Sequence, residues 1–338
     1  MKKYGKILCL FAVIFLLAAG TVFSQNLTIE SLSGSVDSFS ETIAKALPFN
    51  STMGLNWSDA YIGQLIGIPP HFGIGVSTGF TTMPMGSIGK VADLLDYNLP
   101  DVAIGFPLPG YTVEARVGGL ILPFDVGLKF GYLETGLMDR LIGMNIDYLL
   151  FGMDFRYSVF DPTLLPIKIS AGLGYNYLSG GVSKKFPGKD IVYDFSNPLG
   201  AGTYELTVPT PTIGLKWSTN TIEAKAQVCF PLIIITPYAG AGLSYSWSEA
   251  GYYISSNILV DGVPIDETSP HIRDALKTAV NGNVAKTGFE RMVEDTGINM
   301  RLFGGISLNI AFIKFDITGM FNARDGSWGG TFGTRFQL

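Results

Sequence analysis

INMRLFGGISLNIAFIKFDITGMFNARDGSWGGTFGTRFQL, residues 298–338, is the stretch that decides the fold. It predicts three β-strands joined by two short turns, in which side chains alternate between two faces. One face of the last strand is mostly apolar and aromatic: Trp328, Gly330, Phe332, Thr334, Phe336 and Leu338. The other face is small or polar: Gly329, Thr331, Gly333, Arg335 and Gln337. This alternation predicts strands with one face towards lipid, as in an all-β, closed transmembrane barrel.

The composition agrees with a membrane barrel. Of 338 residues, 47% are hydrophobic and only 15% are charged, whereas soluble domains average about 25% charged residues. After residue 24, no stretch approaches the roughly 18 apolar residues that a spanning helix needs. A closed barrel instead satisfies every backbone group between strands. A soluble β-sandwich is the alternative, and a net charge of -5 without a basic cluster disfavours nucleic-acid binding.

The N-terminus predicts a secretory signal over residues 1–24, with three lysines among the first six residues and an apolar run over 7–19. Cleavage near Gln25 leaves Cys229 as the only cysteine, so the mature chain forms no internal disulfide. Residues 25–69 then form an N-terminal plug or periplasmic segment, and residues 70–338 form the barrel.

The N-terminal segment contains one amphipathic helix. Apolar residues recur at helical spacing and are followed by Pro48: Ile29, Leu32, Val36, Phe39, Ile43 and Leu47. Such a helix could plug the lumen, lie on the inner leaflet, or pack beneath the barrel.

From residue 70 a similar strand recurs five times. It begins after Pro70, Pro123, Pro166 and Pro237, and once without proline at residues 312–317. Returning strands are predicted near 110–121, 143–158, 210–229, 296–310 and 327–338. Short turns then alternate with longer loops, which predicts ten strands with both termini at the periplasmic end.

The strand over 210–229 interrupts the pattern, because its apolar residues change face part-way along. Ile213 and Leu215 share one parity, and Ile222 and Ala224 share the other. We predict a bulge near residues 218–221. The alternative is a hairpin turn there, which gives twelve strands with one drawn from residues 54–66.

Charges on the predicted inner face are candidates for function, because a charge within a membrane is costly unless paired or hydrated. They are Glu114, Arg116, Asp125, Lys129, Asp154, Arg156, Lys168, Lys216, Glu223, Lys225, Arg301, Lys314, Asp316 and Arg335. They either fill a closed lumen or line a small conduit. Aromatic residues at the ends of the rising strands predict a girdle at the membrane interface: Tyr132, Tyr175, Tyr177, Tyr245 and Trp247.

The longer loops carry two further helical patterns. One is bounded by Pro270 and Gly282, with Ile272 and Leu276 at helical spacing, and the other spans residues 88–95. Both predict short helices that cover the barrel or contact partners.

Catalysis has little support in the sequence. The only histidines are His71 and His271, and there is no zinc-ligand set or Ser-His-Asp spacing. His271 lies near Asp266, Glu267 and Asp274 and could act as a base, but a loop histidine is more often merely solvated. We therefore predict no enzyme, cofactor or metal, with an outer-rim hydrolase as a remote alternative.

Residues 70–338 resemble bacterial outer-membrane β-barrel proteins, of the sort seen in diderm bacteria such as spirochaetes. Phe332 and Phe336 match the hydrophobic positions of the final strand that the barrel-assembly machinery reads in that family, although Leu338 replaces the usual aromatic. The N-terminal helix is similar to the hatch of fatty-acid-transport barrels. The resemblance implies an outer-membrane location, with lipid and the assembly machinery as partners.

Together these patterns predict a monomeric, porin-like barrel for passive passage or binding of a small solute. If the solute is apolar, the loop helices and the tyrosine rim form its entry. The alternative is a structural or surface-interaction barrel with a plugged lumen.

Overall fold

The computed structural model describes residues 29–66, 70–86, 105–133, 145–162, 166–185, 190–196, 203–280, 283–285 and 288–338. The predicted signal and the predicted helix at residues 88–95 lie outside these ranges. The described residues form two α-helices and fifteen strands. In chain order they are α1 (Ile29–Ser51), β1 (Phe72–Met83), β2 (Phe106–Gly118), β3 (Phe124–Leu133), β4 (Asn145–Phe160), β5 (Lys168–Lys185), β6 (Ile191–Ser196), β7 (Thr203–Val208), β8 (Thr212–Cys229), β9 (Ile235–Ser255), β10 (Leu259–Val260), β11 (Val263–Pro264), α2 (Pro270–Val280), β12 (Asn283–Ala285), β13 (Gly288–Ile310), β14 (Ile313–Asn322) and β15 (Trp328–Gln337).

Ten of these strands close into an antiparallel barrel in the order β1-β2-β3-β4-β5-β8-β9-β13-β14-β15. The last strand pairs with the first, from Gly73 opposite Gln337 to Thr81 opposite Gly329. The predicted ten-stranded barrel is confirmed. The twelve-strand alternative is wrong, because residues 54–66 form no strand and β8 is continuous.

The outer wall is apolar because alternate residues of each strand point away from the lumen. On β13, Ile298, Leu302 and Ile306 are 62%, 45% and 55% exposed, whereas Asn299 and Arg301 between them are buried. This contrast gives a membrane-type exterior and a polar interior. Among the described residues, no helix is both long enough and apolar enough to cross a bilayer.

Strand β8 contains no bulge. It pairs with β5 in one constant register, from Lys168 opposite Cys229 to Lys185 opposite Thr212, and its register with β9 is also constant. The predicted bulge and the predicted hairpin are both wrong. The apolar face changes because the inner wall at Leu215 packs against a hydrophobic cluster that includes helix α1.

The change of face also corrects one predicted lumen residue. Because Leu215 points inwards, Lys216 points outwards. Its Nζ lies 2.5 Å from Oε2 of Glu290 on β13, and both side chains are more than two-fifths exposed. Lys216 is therefore not a lumen residue.

The two ends of the barrel differ in construction. At the end that carries the long connections, here called the loop end, β6, β7, β10 and β11 form a separate four-stranded sheet. Together with α2 it makes the loop domain, whose buried core consists of Leu206, Val208, Ile258, Val260, Ile265 and Leu276. The predicted helix after Pro270 is confirmed, but the sheet was not predicted from the sequence. The opposite end, here called the turn end, carries the short turns.

The N-terminal segment runs through the barrel from the loop end to the turn end. Asp37 of α1 contacts Arg291 in the loop-end part of β13. Farther along the chain, Nε2 of Gln64 donates a 2.5 Å hydrogen bond to the carbonyl of Ile121 in the β2–β3 turn. Leu338 lies at the turn end, where its N–H donates to the Phe72 carbonyl. The barrel therefore begins at Phe72 and finishes at Leu338 at the same end, as predicted for ten strands, whereas α1 lies towards the loop end.

Candidate functional site

Helix α1 fills the loop-end half of the lumen with apolar side chains. Its apolar stripe packs against the inner faces of several strands. The cluster consists of Ile43, Ala44, Ala46, Leu47, Met83, Phe106, Leu150, Leu178, Leu215 and Ala250. The helical spacing in the sequence thus produces a stripe that matches an apolar inner wall.

An ion pair fixes the loop-end part of the helix. The guanidinium of Arg291 donates to the carboxylate of Asp37 at 3.0 Å from Nε and 2.9 Å from Nη2. Two parallel hydrogen bonds of this kind fix orientation as well as distance.

Residues 50–62, here called the plug segment, continue from the helix through the turn-end half of the lumen. Gly54 and Leu55 both adopt positive φ, at 79° and 57°, so the chain bends where the helix ends. A Cβ on Gly54 would lie 2.7 Å from Oγ1 of Thr112 and 2.8 Å from Oε1 of Glu114. Glycine is required here by both the backbone conformation and the close approach of the wall.

A buried network of five charges covers one side of the turn-end lumen. Asp125 accepts hydrogen bonds from Arg116 at 2.5 Å and from Arg156 at 2.8 and 2.9 Å. Asp154 accepts from Arg116 at 2.7 and 2.9 Å and from Lys225 at 2.5 Å. Each of these side chains is at most 7% exposed.

The network holds the backbone of the plug segment directly. Nη1 of Arg156 donates to the carbonyl of Asp59 at 2.6 Å, and the N–H of Ile62 donates to Oδ2 of Asp125 at 3.1 Å. Nε2 of Gln227 donates to the carbonyls of Trp57 and Ser58 at 2.8 and 3.0 Å. Two charges of the network and the amide of Gln227 therefore satisfy backbone groups of the plug segment that would otherwise lack partners in the lumen.

Asp59 is the one carboxylate of the plug segment, and two cations of β14 and β15 contact it. Lys314 and Arg335 each donate to its Oδ2 at 2.8 Å. Burial disfavours the charged form of the Asp59 carboxyl, and the positive charges of Lys314 and Arg335 offset that cost. Arg335 also bonds Asp316, so this group forms a second network.

Two further cations hold the bend after the helix. Nζ of Lys129 donates to the carbonyls of Ser51 and Met53 at 2.7 and 2.5 Å, where the C-terminal end of the helix dipole attracts positive charge. Arg301 pairs with Glu223 at 2.5 Å and donates to Oδ1 of Asn56 at 3.1 Å.

Trp57 is the central side chain of the plug segment. Its ring lies between the guanidiniums of Arg116 and Arg335, whose Cζ atoms are 5.5 and 4.8 Å from the ring centroid. Its Nε1 donates to Oε2 of Glu114 at 2.6 Å. Two cation–π contacts and a charged hydrogen bond thus fix this side chain over β1, between β2 and β15.

In the structure, the predicted lumen charges surround the plug segment, which the sequence pattern does not identify. Apart from Lys216, they lie on the inner face. Most are buried, and Lys168 lies towards the turn end, where it pairs with Asp161 at 3.1 Å. Sequence reasoning missed Asn56 and Asp59, because residues 50–62 have neither helical nor strand periodicity. The one available signal was a tryptophan between a helix and a barrel.

The predicted girdle residues lie on the outer face. Tyr175 and Tyr245 flank Ile222 in register, and Tyr177 and Trp247 flank Asn220 on the next rung. The hydroxyl of Tyr175 donates to Oδ1 of Asn220 at 2.6 Å. These four form one aromatic patch across β5, β8 and β9, and Tyr132 is separate on β3. Their position at a membrane interface stays a prediction.

The histidines are far apart. Nδ1 of His71 lies 3.2 Å from the carbonyl oxygen of Leu338 at the turn end, and His271 is exposed on α2. Within the described ranges, no three His, Cys, Asp or Glu residues lie close enough together to hold a metal ion.

Comparisons with known proteins give structural likeness only. No protein-family model and no curated protein matches the sequence. The chain is similar to the outer-membrane protease OmpT of Escherichia coli, with 9% identity, coverage of 80% of this chain and 97% of that chain, and a TM-score of 0.38. For the translocator domain of the autotransporter NalP of Neisseria meningitidis, the identity is 9%, the coverage 90% and 97%, and the TM-score 0.34. For Ail of Yersinia pestis they are 8%, 79% and 97%, and 0.27. Identities and TM-scores this low do not allow an activity, ligand or partner of these proteins to be assigned to this chain.

Proposed function

We propose that this protein is an outer-membrane barrel with a permanently filled lumen, which presents its loop domain at the cell surface. The observation that carries the proposal is that the inward charges bind the plug segment, through Asp125, Arg156, Lys314 and Arg335. This arrangement favours the structural or surface-interaction role over passive passage.

An outer-membrane location is supported by the apolar outer wall and by the predicted signal. Closed barrels with short turns at one end and long loops at the other place the turns in the periplasm and the loops outside. The loop domain is then the part of the protein that meets the surroundings. Its hydrophobic core, around Leu206 and Leu276, makes it a folded unit rather than a flexible loop.

The strength of the internal contacts supports a plug rather than a movable hatch. Removing one partner from a buried ion pair costs about 3–5 kcal/mol, because the other charge remains buried. Departure of the plug segment would break the contacts of Asp59 with Lys314 and Arg335 and would uncover Trp57. Passive passage of a small solute requires that departure, or a path beside the segment.

Single-channel recording in planar bilayers tests the proposal. The mature full-length protein should give no conductance steps, whereas a variant without residues 25–62 should give steps through the vacated lumen. Removal of residues 25–36 alone is the matched control, and this variant should stay silent because it keeps the Asp37–Arg291 pair. Steps from the full-length protein would overturn the filled lumen and restore passive passage.

Protease treatment of intact cells tests the orientation. The hairpin tip at Asp261 and Gly262 should be cleaved, because both residues are exposed. Cleavage only after the outer membrane is opened would reverse the proposed orientation.

A further inference from the structure

Three turns at the turn end are apolar and point away from the protein. They cover residues 119–123 between β2 and β3, residues 230–234 between β8 and β9, and residues 311–312 between β13 and β14; they are here called the apolar turns. Their sequences contain no charged residue. Ile121 is 81% exposed, Ile233 is 98% exposed and Phe312 is 54% exposed. Because burying apolar surface is favourable, full contact of these side chains with water is costly.

Several backbone groups of the apolar turns are hydrogen-bonded within the protein. The N–H of Leu232 donates to the Ile235 carbonyl at 2.9 Å, and the Ile234 carbonyl accepts from the N–H of Asn309 at 2.6 Å. In the β2–β3 turn, the N–H of Phe124 donates to the Leu122 carbonyl at 2.8 Å. Backbone groups that are bonded in this way need no hydrogen-bond partner from the lipid.

The apolar turns continue the outer wall without a polar rim. Ile235, Ile310 and Ile313, where the strands meet these turns, are 41%, 54% and 46% exposed. Ile66, in the chain that approaches the β2–β3 turn, is 72% exposed. The turn between β4 and β5 differs, because it carries Asp161 paired with Lys168. An apolar, charge-free surface that continues a lipid-facing wall is suited to contact with lipid. A protein interface usually combines apolar and polar groups.

We infer that the apolar turns are set into the inner leaflet of the bilayer that holds the barrel, with Ile233 at acyl-chain level rather than in the periplasm. The inference rests on the proposed membrane location and adds the depth of the turn end. The partner of this surface is the apolar part of the lipid, since the three turns carry no group to bind an anionic headgroup.

Site-directed labelling in phosphatidylcholine vesicles tests this depth. An environment-sensitive fluorophore is attached to Ile233→Cys, and quenching is measured with lipids that carry a nitroxide on the acyl chain. Ile306→Cys on the outer wall of β13 is the positive control, and Val263→Cys on the loop domain is the aqueous control. Unsubstituted protein gives the background, because its Cys229 is fully buried.

The label at position 233 should be quenched to the same extent as the label at position 306, while the label at 263 keeps its fluorescence. A label at 233 that behaves like the one at 263, while 306 is quenched, overturns the inference and leaves the membrane location intact. Loss of quenching at 306 as well contradicts the proposed location instead. If the unlabelled Ile233→Cys variant is protected from an aqueous maleimide in cells but not in vesicles, the turns contact a protein partner, and the inference is also overturned.

Discussion

The two halves of the lumen are filled by one chain in two different ways. At the loop end, Leu47 and its neighbours on α1 meet an apolar wall that includes Leu215. At the turn end, the plug segment has no regular structure beyond Ser51 and is held by buried charges such as Asp125 and Arg335. Apolar packing needs only matched volume, whereas a buried charge also needs a partner at a defined position. The two halves should therefore respond differently to small substitutions.

The largest effect is expected at Asp125, which pairs with two arginines and accepts from the N–H of Ile62. Asp125→Ala should lower the free energy of unfolding by about 3–5 kcal/mol, because both guanidiniums remain buried without it. Urea unfolding in detergent, followed by tryptophan fluorescence, measures the change. Asp161→Ala removes a partly exposed ion pair and should cost less than about 1 kcal/mol. Equal losses for the two variants would contradict a special role for the buried network.

The apolar half should depend on volume. Leu47→Ala should lower the free energy of unfolding by about 2–5 kcal/mol, because it leaves a cavity between α1 and the wall. Leu47→Met should cost less than about 1.5 kcal/mol, since it keeps most of the volume. The same unfolding assay applies to both. A similar loss for the two variants would indicate that the helix is held by something other than packing.

Gly54 joins the two halves, and Gly262 in the β10–β11 hairpin is its matched control. Their φ angles are 79° and 78°, but a Cβ on Gly262 has open space around it. Gly262→Ala should cost about 1–2 kcal/mol from backbone strain alone. Gly54→Ala should cost more, because the methyl group also meets Thr112 and Glu114. Comparing the free energies of unfolding of the two variants isolates the contribution of the wall contacts. Equal losses would indicate that Gly54 does not lie close to the wall.

The smallest effect is expected at Lys216, which the sequence pattern assigned to the lumen. Lys216→Ala should change the free energy of unfolding by less than about 1 kcal/mol, because its pair with Glu290 is partly exposed. Lys225→Ala on the same strand should cost several times more, since Lys225 is buried against Asp154. A large loss at Lys216 would contradict the outward direction of its side chain.

The sequence predicted the barrel because a period of two is the physical consequence of strand geometry, and it recurs in every hairpin. The same rule placed the charges of β2, β3 and β14 on the inner face. It failed at Lys216, because the parity rule assumes that the apolar face meets lipid. Near Leu215 the apolar face meets a helix instead.

Two parts of the molecule could not be predicted from local pattern. Residues 50–62 are held by tertiary contacts such as those of Trp57 with Arg116 and Arg335, which leave no periodicity. The sheet of the loop domain pairs β7 with β10, two strands separated by the barrel strands β8 and β9. The antiparallel pairing of β8 with β9, in which Thr212 lies opposite Ser255, brings β7 and β10 together at the loop end.

Disulfide trapping between the plug segment and the wall tests the filled lumen most directly. Oγ of Ser51 lies 3.2 Å from Oγ1 of Thr221 on the inner face of β8. In membranes, Ser51→Cys combined with Thr221→Cys should form a disulfide and shift the mobility of the unfolded chain on a non-reducing gel. Ser51→Cys alone reports any reaction with Cys229, and Ser51→Cys with Thr236→Cys tests a buried position elsewhere on the wall. Rapid cross-linking of the 51–221 pair alone is the predicted result. Absence of that cross-link, or equal cross-linking at 236, would contradict a lumen filled by this segment.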